Sequence, residues 1–255
     1  MFRQRRYALK TYKTFCRAAI LGVAAIGVMT DEVSAAAVCQ NKLSAADQVV
    51  ALNAIQNLMG RYSHLAELRG EGKLAELFAM KTEGVSWRTP VGPAGIKGMQ
   101  DRFANPAEKA PGTVPGALHM HSMLTPVIEI AADGETAKGV WDSFGPNIAN
   151  GNEIGDWLWL KYGVDFVKEA GRWKIWHLQA YAIFSTPYDK SITQSARERN
   201  GANDRAGRPG PPDPSWTGPK DMWIYDGKTA PRGPRIPEPY CTFDPQDSYG
   251  NIMLP

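Results

Sequence analysis

Two of the chain's four histidines lie on alternate positions of one strand-like run, Ala117–Ile130 (ALHMHSMLTPVIEI). Successive side chains of a β-strand point to opposite faces, so this pattern predicts that His119, His121, Met123 and Thr125 share one face. Imidazole titrates closer to neutral pH than other side chains, which makes such a histidine a candidate acid or base. The alternative is that both histidines are polar residues of a half-buried strand.

The histidines also have a metal-binding interpretation. His119 and His121 together with His177 would supply three imidazoles, a set that zinc accepts. Strand-borne His-x-His pairs are frequent without a metal, and His177 follows Trp176 in a strand where a packed or interfacial side chain is expected. We therefore predict no metal and no cofactor. No G-x-S-x-G motif supports nucleophilic catalysis by serine.

The elements that must position these residues begin with a long amphipathic helix. Ser44 followed by Asp47 is typical of an N-cap, and the helix is expected to end near Gly70. Glu67 then lies in the last turn with His64 three residues before it, at the end of the macrodipole that is unfavourable for a carboxylate. Glu67 is therefore expected to have a partner. The predicted apolar face contains Val50, Leu52, Ala54, Ile55, Leu58, Met59, Tyr62 and Leu65.

Alternation and turn signals then predict an antiparallel meander of four strands, which with the preceding helices makes the chain α+β. An Asp-Gly hairpin follows the histidine strand, and Ala170–Gly171 is a tight turn between the last two strands. Tryptophans crowd those strands, so both sheet faces are expected to be covered, one of them by a second subunit in a homodimer. Elements expected before and between the strands are a short helix 72–80, a strand 84–89, a short helix around 96–103 and a loop 145–155.

Both ends of the chain differ from its middle. Basic residues in 1–17, an apolar run at 18–29 and small residues before Ala37 predict a signal peptide over 1–37, hence a periplasmic or secreted protein with no stable membrane anchor after cleavage. Arg5-Arg6 resembles a twin-arginine motif, and an ordinary basic signal is the alternative. Residues 1–37 carry a net charge of +4 and the whole chain carries +3, so the rest of the chain has a net charge of about −1. It contains no basic cluster typical of nucleic-acid binding.

The segment 191–255 holds 11 of the 19 prolines and is expected to lack regular structure. Its aromatic residues favour a tail that wraps the domain or a dimer partner rather than a solvated linker. In an oxidising compartment Cys39 and Cys241, at the two ends of the mature chain, are expected to form a disulfide, and free thiols are the alternative. The predicted organisation is a signal peptide 1–37, a domain 38–190 and a Pro-rich tail 191–255.

Three stretches of this sequence resemble a known family. They are AIQNLMGRYSHLAELRG from Ala54, HSMLTPVIEI before the Asp-Gly turn, and YGVDFVKEAGRWKIWHLQAYAIFSTPYDK from Tyr162. They resemble the SnoaL-like branch of the nuclear-transport-factor-two-like superfamily, which includes scytalone dehydratase, ketosteroid isomerase and hexachlorocyclohexane dehydrochlorinase. The resemblance implies a curved antiparallel sheet wrapped round helices into a cone with an apolar cavity.

The resemblance also implies a catalytic dyad. Dehydratases and dehydrochlorinases of this family use a strand histidine and an acid from the first helix, which match His121 and Glu67, although the family acid is commonly Asp. His121 would be the base and Glu67 its orienter, while His119 or Tyr62 would donate to a developing oxyanion. The expected lining of the substrate cavity is Trp87, Met123, Trp141 and Tyr181, with Tyr62 and His119 beside it.

Two main functions follow as hypotheses. The first is a cofactor-independent lyase, dehydratase or isomerase acting on a small cyclic or aromatic molecule. The alternative is a non-catalytic periplasmic module that binds an apolar small molecule. A third interpretation, a partner-binding domain that uses the aromatic tail, remains open, because a fold hosts many chemistries and only the site decides.

Overall fold

The computed structural model describes residues 39–67, 73–89, 92–94, 116, 118–148, 154–201, 225, 227–228 and 233–250. The predicted signal peptide 1–37, the predicted helix at 96–103 and part of the Pro-rich tail lie outside these described residues. Among the helices described, none combines the length and apolar character needed to cross a membrane.

The first helix, α1, spans Ala45–Glu67 and begins at the predicted cap. The Ser44 hydroxyl accepts a hydrogen bond of 3.1 Å from the Asp47 amide, and it donates to the Asp47 carboxylate at 2.6 Å. The buried face is centred on Ile55 and Met59, which are fully buried. The predicted place of Val50 on this face is wrong, because Val50 is 68% exposed and lies five residues, or about 140°, from Ile55 around the helix axis.

The described residues contain one seven-stranded sheet with the order β2-β1-β7-β6-β5-β3, and β4 pairs with the same edge of β5 as β3 does. The sheet is mixed, because β1 pairs with β7 in parallel while the other pairs are antiparallel. The strands are β1 Ser86–Thr89, β2 Gly92–Ala94, β3 Leu118–His119, β4 Leu124–Ile130, β5 Thr136–Ile148, β6 Asp156–Glu169 and β7 Arg172–Pro187.

The sheet curls into a half-barrel around α1, which confirms the predicted α+β class and curved sheet. We call the sheet face that packs on α1 the inner face and the opposite one the outer face. Alternation in β6 sends Tyr162, Val164 and Phe166 inward and Lys161 and Asp165 outward. The inner face and the helix share one apolar core.

Two local predictions need correction. The helix expected over 72–80 is a single 3₁₀ turn, Leu74–Leu77, after which Phe78 bridges to β7. The loop expected from residue 145 begins later, because β5 continues to Ile148 through pairing with both β6 and β3.

The histidine run is not one continuous strand. β3 ends at His119, residues 120–123 form no strand, and β4 begins at Leu124 with a register shift beside Thr125, whose φ is +44°. His119 pairs with Asn147 while the Thr125 hydroxyl contacts Asp142, and these two partners alternate to opposite faces of β5. The prediction that His119 and Thr125 share one face is therefore wrong. Side chains alternate between faces only along a continuous strand, and this strand is interrupted between the two residues.

The tail also contains structure that its proline content did not predict. A second helix, α2, spans Ile192–Gly201 and begins with a capping box, in which the Gln194 amide donates to the Ser191 hydroxyl and the Ser191 amide donates to the Gln194 side chain. The motif Ser-x-x-Gln was readable in the sequence. The helix was not predicted because the high proline content of 191–255 as a whole indicated no regular structure.

Residues 233–250, named the strap below, lie across the outer face of the sheet. The Tyr249 ring packs directly over Gly163 of β6, where a Cβ would leave it no room. The amides of Ala132 and Asp133 donate to the strap carbonyls of Tyr240 and Cys241 at 2.9 and 3.1 Å. As predicted, Cys39 and Cys241 form a disulfide, which joins residues 202 positions apart in the chain.

Candidate active site

A close main-chain contact positions His121 beside the sheet. The amide of Met120 donates to the carbonyl of Pro146 at 3.1 Å, which extends the pairing of β3 by one residue. Gly145 lies next to this contact, and a Cβ at that position would meet the Met120 main chain closer than real Cβ atoms approach backbone. Glycine at 145 therefore lets the histidine segment lie against β5.

The C-terminal half of α1 holds His121 by both of its main-chain polar groups. The buried Ser63 hydroxyl donates to the His121 carbonyl at 2.5 Å, and the His121 amide donates to the Glu67 carboxylate at 3.2 Å. Ser63 and Glu67 are four residues apart and thus neighbours on one helix face. The helix consequently fixes the position from which the imidazole projects.

The surroundings of His121 favour its neutral form. Burial lowers the pKa of His121 below its ordinary value of 6.5, and the nearby His119 lowers it further, while the charge of Glu67 acts in the opposite direction. A histidine that is neutral near pH 7 carries a lone pair that can accept a proton. The electrostatics thus suit a general base.

The contact between Glu67 and His121 differs from the one expected for a dyad. Among the described residues, no hydrogen bond joins the Glu67 carboxylate to the His121 ring, and its second oxygen lies 3.8 Å from Nδ1 of the exposed His64. Glu67 therefore acts on His121 through the main chain and through its charge. The catalytic role of the pair stays a prediction.

His119 has a polar partner that sequence reasoning missed. Its Nδ1 lies 2.5 Å from Oδ1 of Asn147, the residue opposite it on β5. Asn147 fell in a segment predicted to be a loop, so nothing in the sequence placed it beside a histidine. Because an amide oxygen only accepts hydrogen bonds, Nδ1 carries the proton in this contact, and the Nε2 of a neutral His119 is the unprotonated nitrogen.

Four of the predicted lining residues lie on the inner side of the sheet. The Trp87 indole donates to the Tyr62 hydroxyl at 2.9 Å, and both side chains are buried. Trp141 is buried and meets Phe166 edge-on with 5.9 Å between ring centroids, whereas Met123 is partly buried against the same core. The structure thus packs these residues into the core shared with α1, and their role in lining a substrate cavity stays a prediction.

The family model described as a SnoaL-like domain matches residues 47–179, about half of the chain, from the first turn of α1 to the middle of β7. The chain belongs to the SnoaL-like domain family. The matched stretch contains every predicted catalytic residue and all of the inner-face residues described above. The resemblance read from the sequence is therefore confirmed.

Several solved structures are similar to this SnoaL-like domain. A proposed scytalone dehydratase from Novosphingobium aromaticivorans is 18% identical, and the match covers 58% of this chain and 95% of that protein at a TM-score of 0.47. Hexachlorocyclohexane dehydrochlorinase LinA-type3 from Novosphingobium barchaimii is 21% identical, with 58% and 97% covered and a TM-score of 0.46. These likenesses concern the fold alone. No curated protein matches the sequence significantly.

One predicted lining residue of the SnoaL-like domain lies elsewhere. Tyr181 is buried on the outer face, because its neighbours Ala180 and Ala182 in β7 point into the core and alternation turns Tyr181 the other way. Burial raises the pKa of Tyr181, the nearby Asp165 raises it further, and Arg88 and Arg235 oppose this. The expected contact of Tyr181 with an inner-face substrate is therefore wrong.

His177 is separated from the other two strand histidines as well. Its Nδ1 lies 2.9 Å from the buried carboxylate of Asp165 and 3.2 Å from the Ser248 hydroxyl of the strap, on the outer face of the SnoaL-like domain. Within the described part of the chain, no three His, Cys, Asp or Glu side chains are grouped to hold a metal ion.

Proposed function

We propose that this SnoaL-like domain is a lyase or isomerase that uses His121 as a general base on a small cyclic or aromatic molecule. The observation that carries the proposal is the attachment of His121 to α1 through Ser63 and Glu67, combined with surroundings that keep its ring neutral. A fixed, neutral imidazole at the edge of an apolar core is suited to removing a proton from carbon.

The chemistry requires no group beyond the side chains. His121 takes a proton from a carbon next to a carbonyl group, and the electron pair of the broken C–H bond moves towards the carbonyl oxygen. In an isomerisation the proton returns at another carbon, and in an elimination a leaving group departs with its electron pair as the double bond forms. Tyr62 or a protonated His119 would donate a hydrogen bond to the developing oxyanion.

Glu67 has two separable roles in this scheme. Its oxygen accepts the His121 amide, which positions the base, and its negative charge raises the pKa of His121, which strengthens the base. Glu67→Gln keeps an acceptor and removes the charge, whereas Glu67→Ala removes both. We expect a smaller loss of rate for the amide variant than for the alanine variant.

The test measures proton transfer directly. In D₂O the protein would be incubated with 2-tetralone, whose exchange of carbon-bound hydrogen is followed by NMR, and with 3-hydroxy-1-indanone, whose loss of water gives indenone. We expect His121→Ala to lower either rate by about 10²–10⁴-fold, the usual contribution of a general base. Gln56→Ala, at an exposed position of the same helix eleven residues from Glu67, is the control and should retain the rate.

Two outcomes would contradict the proposal. One is an exchange or dehydration rate that His121→Ala leaves unchanged. The other is binding of these ketones without turnover by the unmodified protein, which would identify the domain as a small-molecule binding module.

We also propose that the protein is exported and forms a homodimer. Export is supported by the basic, apolar and small-residue order of 1–37 and by the disulfide, which is typical of oxidising compartments. A homodimer is supported by the aromatic outer-face pairs Phe144–Trp157 and Trp159–Phe184. Fractionation of cells and light scattering of the purified protein test these two proposals.

A further inference from the structure

A groove unrelated to the predicted catalytic residues runs between α1 and the tip of the β6–β7 hairpin. We call it the α1–hairpin groove. Its volume is about 510 Å³, within the range of about 300–1,000 Å³ that small-molecule sites occupy. Among the described residues that line it are Val50, Ala54 and Leu58 of α1, and Lys168, Arg172 and Trp173 of the hairpin.

The floor of the groove is apolar, with Val50 and Ala54 exposed to solvent and Leu58 buried. Val50, Ala54 and Leu58 follow one another at helical spacing, and the Val50 side chain is 68% exposed although the rest of its helix turns an apolar face to the core. Trp173 adds a half-buried indole on the hairpin side. Aliphatic and aromatic groups that line a concave surface suit the apolar body of a ligand.

Three cations surround this floor: Arg61, Lys168 and Arg172. Among the described residues, the Arg61 and Arg172 side chains have no ion pair or hydrogen bond, and the Lys168 ammonium lies 5.1 Å from the centroid of the Trp173 ring. The acid of the groove, Asp47, is already bonded to Ser44 at the helix cap. The Ser44 hydroxyl is neutral, so Asp47 still offsets one of the three positive charges, and the lining keeps a net charge of about +2 (three cations minus one carboxylate).

We propose that the α1–hairpin groove binds a small amphipathic anion, with an apolar chain or ring on the Val50–Leu58 floor and an acidic group at the cations. Charge complementarity selects the anion, because a neutral ligand would leave the cations without a counter-charge. Arginine forms paired hydrogen bonds with carboxylates, and an apolar body releases water from the exposed valine. This site does not depend on the proposed function, since its described lining includes neither His121 nor Ser63 and Glu67, which hold it.

The experiment is isothermal titration of the full chain with decanoate and with 2-naphthoate, each below the concentration at which it aggregates. We expect at least one of the two anions to bind at a single site. Decanol, which has a similar chain without the charge, should bind at least about tenfold more weakly than decanoate, a difference expected from one charge-assisted contact.

The variants locate the binding in the groove. Lys168→Glu combined with Arg172→Glu should lower the affinity for the anion at least about tenfold. Val50→Asp should lower it by a similar factor because it places a charge on the apolar floor, and Val50 is exposed, so the fold stays intact. Lys190→Glu combined with Lys228→Glu, two exposed lysines outside the groove, changes the net charge by the same amount and should retain the affinity.

The proposal is overturned if neither anion binds the unmodified chain, or if the charge-reversed variant binds within about twofold of it. Circular dichroism on each variant separates loss of the site from loss of the fold. Activity of the His121 variants is not part of this readout, so the two proposals fail separately.

Discussion

The hydroxyl of Ser248 donates a 2.6 Å hydrogen bond to the carboxylate of Asp165, a side chain that is fully buried in the outer face of the sheet. The Tyr249 amide donates to the same oxygen at 2.9 Å, and His177 Nδ1 lies at 2.9 Å from it. The strap thus supplies two of the donors that a buried charge requires. Its end is an integral part of the fold.

Ser248→Ala is predicted to destabilise the folded chain. A hydrogen bond to a buried charged group contributes about 1.5–3 kcal/mol, and alanine would leave the Asp165 oxygen with one donor fewer. Urea unfolding would show a lower free energy of unfolding by about that amount. Thr242→Ala, at an exposed position of the same strap, should change it by less than about 0.5 kcal/mol. Equal effects of the two variants would contradict the role of Ser248.

Two lysine ion pairs are predicted to stabilise the fold in the reverse order of their lengths, so that removing the lysine of the longer pair costs more free energy of unfolding. Lys138 Nζ lies 3.9 Å from the buried Asp165 and 3.2 Å from the exposed Asp247, and the Lys138 side chain is almost completely buried. Lys161 Nζ lies 2.5 Å from Asp142, with 41% of the lysine side chain exposed. Removing one partner of a buried pair leaves an uncompensated charge and costs about 3–5 kcal/mol, while an exposed pair is worth about 1 kcal/mol or less.

Lys138→Met and Lys161→Met should therefore differ clearly in the free energy of unfolding measured with a chemical denaturant. We expect the larger loss of stability for Lys138→Met even though methionine fits the apolar part of the lysine side chain. The comparison would contradict this account if Lys161→Met destabilised the protein as much as Lys138→Met.

Two glycine-to-alanine changes are predicted to have opposite signs. Gly145→Ala would push the Met120 main chain away from β5, with a loss of stability of about 1–3 kcal/mol and a displaced His121. Gly60→Ala in α1 has no heavy atom within 4 Å of its new Cβ and should stabilise the helix by about 0.5–1 kcal/mol. Thermal melts would measure both, and a neutral Gly145→Ala would show that the histidine segment is not held tightly.

The predictable parts of this fold are those in which neighbouring residues determine the structure. The N-cap Ser44 and the turn at Ala170–Gly171 follow from local patterns and agree with the structure. Ala170 and Gly171 both have positive φ, as a two-residue hairpin turn of the mirror-image type requires. Local propensity and tertiary packing point to the same answer at these places.

The missed parts depend on contacts between residues far apart in the chain. The parallel pairing of β1 with β7 and the bond from Ser63 to the His121 carbonyl join segments that no local pattern connects. The break between β3 and β4 arises where α1 holds the main chain of His121. Tyr181 was assigned to the cavity by resemblance, whereas alternation in β7 turns it outward. The candidate site was thus predicted by residue type but not by geometry.

The last prediction concerns the titration of His121, whose pKa lies below 6.5 because burial is the largest influence on it, followed by His119, with Glu67 opposing both. Removing the charge at position 119 by His119→Gln should raise the pKa of His121. Glu67→Gln should lower it further. NMR of the imidazole protons as a function of pH measures both shifts, and the signal that His121→Ala removes identifies the residue.

The same shift affects stability in a defined direction. The unfolded chain binds a proton at His121 more tightly than the folded chain does, so protonation favours unfolding. The contribution of His121 to stability is therefore complete above about pH 6.5 and is lost as the pH falls from that value towards the lower pKa of the folded state. Over this interval the free energy of unfolding should fall less steeply in His119→Gln. That variant raises the pKa of His121 in the folded chain and so reduces the difference between its folded and unfolded pKa values. A pKa of His121 at or above 6.5, or shifts of equal sign in the two variants, would contradict the electrostatics on which the general-base proposal depends.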